Sequence, residues 1–180
     1  MHGIIFSELK KYVDTKLGGD AWTNLLQEAG LRMKVYMPIQ AYPDQDAVAL
    51  VSTAARITGQ PVDGVLQDFG EFIAPDLLRM YGALLKNEWR TLDILERTEE
   101  TIHRVVRSQN PGAEPPRLQC SRLSASSLVI VYSSSRRMCG VAKGIVRGIA
   151  VELGEKVVVS ESTCMLKGGT RCEISVRLES

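Results

Sequence analysis

Histidine is scarce in this sequence. Its 180 residues hold two, His2 and His103. Aromatic side chains make up 6% of the chain, and 22 Lys+Arg nearly cancel 21 Asp+Glu. No long block carries one sign, which argues against a chain that binds nucleic acid by charge. No apolar run approaches the length of a membrane span. Glu8, Lys10 and Lys11 interrupt the N-terminus before a signal-peptide pattern can develop. The expectation is a cytoplasmic protein with no membrane and no nucleic-acid partner. Repeats and low-complexity segments are absent too. The four cysteines do not form a Cys-x-x-Cys ribbon. In the cytoplasm they would be reduced, metal-bound or redox-active rather than a disulfide framework. No acid–base pair or activated nucleophile stands out, so an enzyme is not expected.

What is present divides into two patterns. Up to about residue 110 the apolar positions recur at helical spacing. Ile4, Ile5, Leu9, Tyr12, Val13 and Leu17 form the first such set, closed by Gly18-Gly19. Asp20 and Asp44 stand where helix caps are expected, the second before a helix carrying Val48, Leu50, Val51, Ala55 and Ile57. Val62, Val65, Leu66, Phe69, Phe72 and Ile73 follow, and Pro75 is expected to end or kink that helix before a short one through Leu84. Trp89 to Arg107 reads as one long helix with a stripe of Leu92, Leu95, Ile102, Val105 and Val106, and His103 beside it. The run Gln109-Asn-Pro-Gly112 breaks it.

Beyond residue 116 the period shortens. Leu118–Leu123 and Leu128–Ser135 read as strands, Cys139–Leu153 as a helix, and Val157–Met165 with Cys172–Leu178 as a second hairpin turned at Lys167-Gly-Gly169. The fold class is α+β: a helical N-terminal part, then an antiparallel sheet with crossing helices.

Three features bear on chemistry. In Tyr132-Ser-Ser-Ser-Arg136, strand alternation would place Tyr132, Ser134 and Arg136 on one face. A phenol, a hydroxyl and a guanidinium can all donate to an oxyanion, so this is a candidate carboxylate or phosphate clamp; a plain solvated strand end is the alternative. His103 is a candidate axial metal ligand, or else an ordinary boundary histidine. Pro115-Pro116 is a stiff apolar pair that could press on a flat cofactor. Separately, Cys164 and Cys172 lie on the two arms of the last hairpin, with Cys139 opening the preceding helix. Three converging thiolates could bind zinc given a fourth ligand; three half-buried cysteines is the plain reading.

Met1-His-Gly3-Ile-Ile5, Gly30-Leu31, Tyr42-x-Asp44, Phe69-Gly70, His103, Pro115-Pro116-Arg117-Leu118 and Tyr132-x-Ser134-x-Arg136 occur in this order over nearly the whole chain. In that order and spacing the sequence resembles the H-NOX domains, haem-based nitric oxide and oxygen binders related to the sensor domain of soluble guanylate cyclase. The resemblance implies one H-NOX domain over 1–180, with a helical distal subdomain at about 1–60 and a sheet-containing proximal subdomain at 61–180, haem b between them. His103 would be the proximal haem ligand. Tyr132, Ser134 and Arg136 would hold the propionates. Pro116 would distort the porphyrin, with Ile5 packing nearby. Leu9, Ile73 and Val141 match distal positions that are polar or aromatic in oxygen-binding members, and Ile145 lies one turn beyond Val141 against the same group. All are aliphatic here, which implies a sensor that binds nitric oxide, and carbon monoxide as a second ligand, while excluding oxygen.

The resemblance also implies a mechanism and partners. Nitric oxide weakens or breaks the iron–histidine bond, His103 and its helix are freed, and the subdomains shift. A separate protein reads the shift, in such families a histidine kinase or a cyclic-di-GMP enzyme. Some H-NOX proteins carry zinc on cysteines placed like Cys139, Cys164 and Cys172; the fourth position is Glu161 here, a less typical partner. The competing reading is a haem-free redox- or zinc-responsive module on the same scaffold.

Overall fold

The computed structural model describes residues 1–110 and 112–179, so Pro111 of the expected helix break lies outside the described residues. Among the described residues, seven α-helices and one antiparallel sheet follow in order: α1 Gly3–Leu17, α2 Ala21–Glu28, α3 Asp44–Thr58, α4 Val62–Met80, α5 Thr91–Arg97, α6 Arg104–Gln109, β1 Arg117–Ser124, β2 Ser127–Ser133, α7 Cys139–Glu152, β3 Val157–Thr163 and β4 Cys172–Leu178. The sheet order is β1-β2-β4-β3. Each α+β expectation of the sequence has its counterpart here, with differences at specific residues.

Pro75 does not end a helix. It lies inside α4, which continues to Met80, with a single 3₁₀ turn at Gly82–Leu84. A proline cannot donate to the carbonyl four residues before it, here that of Glu71. That carbonyl faces Gly148 of α7, where a Cβ would stand 2.6 Å from it. The glycine face of α7 thus receives the carbonyl that Pro75 leaves without an amide donor. Gly140, Gly144 and Gly148 recur every four residues and let the α7 backbone lie directly on α4.

The expected long helix from Trp89 is helical but not uniform. Between α5 and α6 lies a π segment, Glu99–His103, in which His103 N–H donates to Thr98 O at 3.0 Å. One extra residue in the turn rotates everything after it relative to a 3.6-residue stripe. Leu92 and Leu95 are buried, whereas Ile102, Val105 and Val106 are only half-buried. Neither expected aspartate cap makes a side-chain cap bond: Asp20 is conformationally helical, and Asp44 is the first residue of α3 rather than the residue before it.

The apolar core has two main parts. One lies between the sheet and α4, α5 and α7, with Leu128, Ile130, Tyr132, Cys172, Ile174 and Val176 contributed by the sheet. The other collects Phe6, Leu9 and Val13 of α1, Trp22 and Leu25 of α2, Leu50 of α3, and Phe69 and Ile73 of α4. Ile145 packs against both. Among the described residues no helix is long and apolar enough to cross a membrane.

Candidate functional site

The short segment Glu114–Leu118 gathers the residues that carry chemistry. Its contacts are made by main-chain atoms. Arg136 donates through Nη1 to Glu114 O. The Pro116 carbonyl lies within reach of the His103 ring. Leu118 N–H donates to Glu99 Oε2 at 3.2 Å. Leu118 also stands opposite Tyr132 in the β1–β2 ladder. His103, Pro116, Tyr132 and Arg136 are therefore brought together although 33 positions separate the first from the last.

The arrangement of the Tyr-x-Ser-x-Arg run differs from the expected single strand face. Strand β2 stops at Ser133, so only Tyr132 is placed by strand alternation. Ser134 and Arg136 lie in the turn that follows, which ends at Arg137 with φ 53°. The Ser134 hydroxyl accepts the Arg136 amide at 3.2 Å and lies near the Tyr132 phenol. The turn folds the three groups back toward one another. Burial pushes the Tyr132 phenol up to about 12, so it remains a neutral donor.

Arg136 is also anchored from the helical side. Its Nε donates to Asp44 Oδ1 at 2.8 Å, and the same oxygen takes the Met1 amine at 2.6 Å. Burial alone would raise the Asp44 carboxyl, but the amine and the guanidinium outweigh it and hold it below the usual range. The position expected as a cap instead joins α1, α3 and the post-β2 turn. A shallow groove lined by Asp44, Gln45, Val48, Ala49, Ser135 and Arg136 opens beside it.

His103 is mostly buried, and its Nδ1 lies 2.9 Å from Glu99 Oε2. Burial pushes the imidazole below its usual value and Glu99 pulls the other way; burial prevails, which favours the neutral ring. Sequence reasoning missed Glu99. The available signal was an acidic residue one turn before the lone interior histidine.

The aliphatic positions also converge. Leu9 and Ile73 are 5% and 1% exposed, and Ile5, Val141 and Ile145 pack against the same cluster. Val141 sits where α7 meets α4: a Cβ on Gly70 would stand 2.3 Å from the Val141 carbonyl oxygen.

The cysteine cluster is real as geometry. Sγ of Cys139 lies 3.8 Å from that of Cys164, which lies 3.9 Å from that of Cys172. Together with a Glu161 oxygen, all four ligand atoms fall within 4.8 Å of one another. Glu161 stands at the β3 bulge that precedes Thr163, the kind of irregularity that re-aims a side chain. Its Oε2 takes Lys143 Nζ at 3.3 Å, while Oε1 is buried and unpaired. Tyr132 and Cys172 are ladder partners, so this cluster adjoins the clamp directly. Burial raises the Cys139 and Cys172 thiols. Cys120 stands apart and bonds Leu95 O at 3.3 Å.

Residues 2–161 match the family model described as Haem-NO-binding. The chain belongs to that family, the H-NOX domains. These are haem-based gas-sensor domains, and their ligands include nitric oxide and carbon monoxide. The fold agrees: an H-NOX protein from S. oneidensis, solved in the Fe(II)NO ligation state, superposes with a TM-score of 0.93 at 25% identity, over 100% of both chains. An H-NOX domain from Shewanella oneidensis in the Fe(II)CO ligation state gives 0.88 at 25% identity, over 100% of this chain and 99% of that one. Among curated proteins, soluble guanylate cyclase gcy-37 of Caenorhabditis elegans is 28% identical over 160 residues, 84% of this chain and 22% of that protein. The chain thus spans about a quarter of the length of the curated relatives it matches.

Proposed function

We propose that this H-NOX chain is a nitric oxide sensor that excludes oxygen and signals to a separate protein. The observation that carries the reading is the convergence on Glu114–Leu118 of one imidazole, a proline carbonyl, a neutral phenol and a guanidinium, together with a separate cluster of aliphatic side chains. This donor set suits a haem. His103 supplies the single nitrogen ligand. Tyr132, Ser134 and Arg136 would supply donors for two propionate carboxylates, and Arg136 retains Nη2 beyond the bonds already made by Nε and Nη1. Bound there, haem b would supply the ferrous iron to which the gas binds.

Selectivity follows from what the aliphatic cluster cannot do. Bound oxygen gathers negative charge on its outer atom and is retained by a hydrogen-bond donor. Leu9, Ile73, Val141, Ile5 and Ile145 offer none. Nitric oxide needs no such donor. Were His103 to lose its hold on the group, its ring and the π segment would be able to shift relative to Pro116 only as far as the Glu99 contact to Leu118 yields. Arg136 and Asp44 then transmit the displacement between the helical part, about 1–60, and the remainder, 61–180. Such a device is a two-state element biased by the ligand. A histidine kinase or a cyclic-di-GMP enzyme is the partner class we assign.

Zinc is the second cofactor we assign, on Cys139, Cys164, Cys172 and Glu161. Tetrahedral thiolates at zinc–sulfur distances of about 2.3 Å stand about 3.8 Å apart, which is the spacing the sulfurs hold here. The same cluster favours a second reading, a haem-free redox- or zinc-responsive module.

An absorption spectrum of reduced protein separates the two. A Soret band that moves with nitric oxide but not in air supports the sensor. No haem uptake after reconstitution sinks it. His103→Gly should lose haem unless imidazole is supplied; full retention refutes the ligand assignment.

A further inference from the structure

The π segment begins with the residue that holds its last one. Glu99 Oε2 is 2.9 Å from His103 Nδ1 and accepts Leu118 N–H at 3.2 Å, while Oε1 accepts from Arg107 Nη2 at 2.7 Å. One carboxylate thus faces an imidazole, an amide and a guanidinium. A neutral imidazole has a single N–H. The Pro116 carbonyl is a second acceptor at the ring, but Glu99 is charged and stands 2.9 Å from Nδ1; a proton directed at it leaves the lone pair on Nε2, the nitrogen free to bind a metal. A carboxylate acceptor behind a ligating histidine also makes it a stronger donor. Arg107 opposes this, because a cation on the other oxygen draws charge away from the first.

We propose that Glu99 is the positioning residue for His103, fixing its Nδ1–H tautomer and setting the strength of its bond to iron, with Arg107 as the counterweight. The second half of this inference rests on the haem reading above; the tautomer does not. Leu118 extends the device. The oxygen that holds the His103 ring also holds the amide two residues after Pro116, so the ring cannot leave with Glu99 unless the start of β1 gives way. Glu99 therefore restrains release.

The test uses the full chain with three substitutions. Glu99→Ala removes acceptor and charge, Glu99→Gln keeps an acceptor oxygen, and Arg107→Gln removes the counterweight from an exposed position. Long-range proton–nitrogen NMR of the histidine rings reads the tautomer whether or not haem is bound. His103 is expected as Nδ1–H in the native chain and in Glu99→Gln, and as a mixture in Glu99→Ala. Resonance Raman of the ferrous protein reads the iron–histidine stretch. It should fall in both Glu99 variants and rise in Arg107→Gln. Haem transfer to an acceptor globin should speed up about tenfold in Glu99→Ala. Circular dichroism confirms that each variant folds. A general loosening of the helix would move all three stretches the same way; that result, or an unchanged tautomer in Glu99→Ala, overturns the proposal. If the chain takes up no haem, the haem reading fails, and the NMR result alone decides the role of Glu99.

Discussion

Replacing Gly144 by alanine should destabilise the protein, although helix propensity argues the opposite. Gly144 is in the middle of α7, where alanine ordinarily gains about 1 kcal/mol over glycine. Its Cβ, however, would stand 2.0 Å from the Gln67 carbonyl oxygen and 2.8 Å from the Glu71 nitrogen. Ordinary carbon–oxygen contact is about 3.3 Å, so the two helices must part by roughly 1.3 Å. Both obstacles are backbone atoms of α4 and cannot rotate aside. Overpacking of this kind costs about 3 kcal/mol, at the upper end of the common range. Set against propensity, the net loss is about 2 kcal/mol, or roughly 4–8 °C in Tm for a chain of this length. Gly64 is the control. It lies in the first turn of α4, and its Cβ would meet only Pro61 side-chain atoms at 3.3 and 3.6 Å. Gly64→Ala should gain about 0.5 kcal/mol. Thermal unfolding by far-UV circular dichroism, with haem and metal loading held equal across samples, measures both. A Gly144→Ala protein that melts at or above the native Tm would refute the reasoning.

Further outcomes follow from other parts of the molecule. Val141→Tyr places a hydroxyl donor against the aliphatic cluster and should give a ferrous protein that holds oxygen in air; an unchanged spectrum in air would count against the account of selectivity. Cys172→Ala should abolish zinc retention, measured by elemental analysis after dialysis, whereas Cys120→Ala should leave it intact. Asp44 contributes to stability through a lowered carboxyl. That contribution is complete above the unfolded-state value near 4 and disappears as pH falls through the folded value. Urea unfolding of Asp44→Asn should therefore show a constant deficit at about pH 5–7 that closes below about pH 4; a deficit that persists in acid would show that Asp44 acts without its charge.

The sequence and the structure part company in instructive places. Apolar spacing located most helices, and α7 and β4 begin at the expected residues, because each is bounded by a change of pattern. Of the two outcomes expected at Pro75, an end to the helix does not occur: a helix-breaking rule concerns one helix alone, whereas α7 packs its glycines on the Glu71 carbonyl. The π segment was invisible because one inserted residue leaves composition and polarity unchanged. His103, Tyr132, Ser134, Arg136 and Pro116 were legible as residue types, yet the reason they meet was not. Strand alternation accounts for Tyr132 alone. The rest depends on a turn and on main-chain atoms, which no side-chain pattern encodes. Glu161 was legible as a position, but its ion pair with Lys143 joins strand to helix and could not be read from spacing.

The Glu114–Leu118 segment offers carbonyls and an amide rather than side chains to Arg136, His103 and Glu99. Alanine substitutions across it would therefore leave those particular bonds in place and disturb only packing, as at Leu118 against the sheet core. Its length is a different matter. Adding or deleting one residue there would shift two acceptors and a donor out of step with three partners at once. In a family of such chains this stretch would be closed to insertions and deletions.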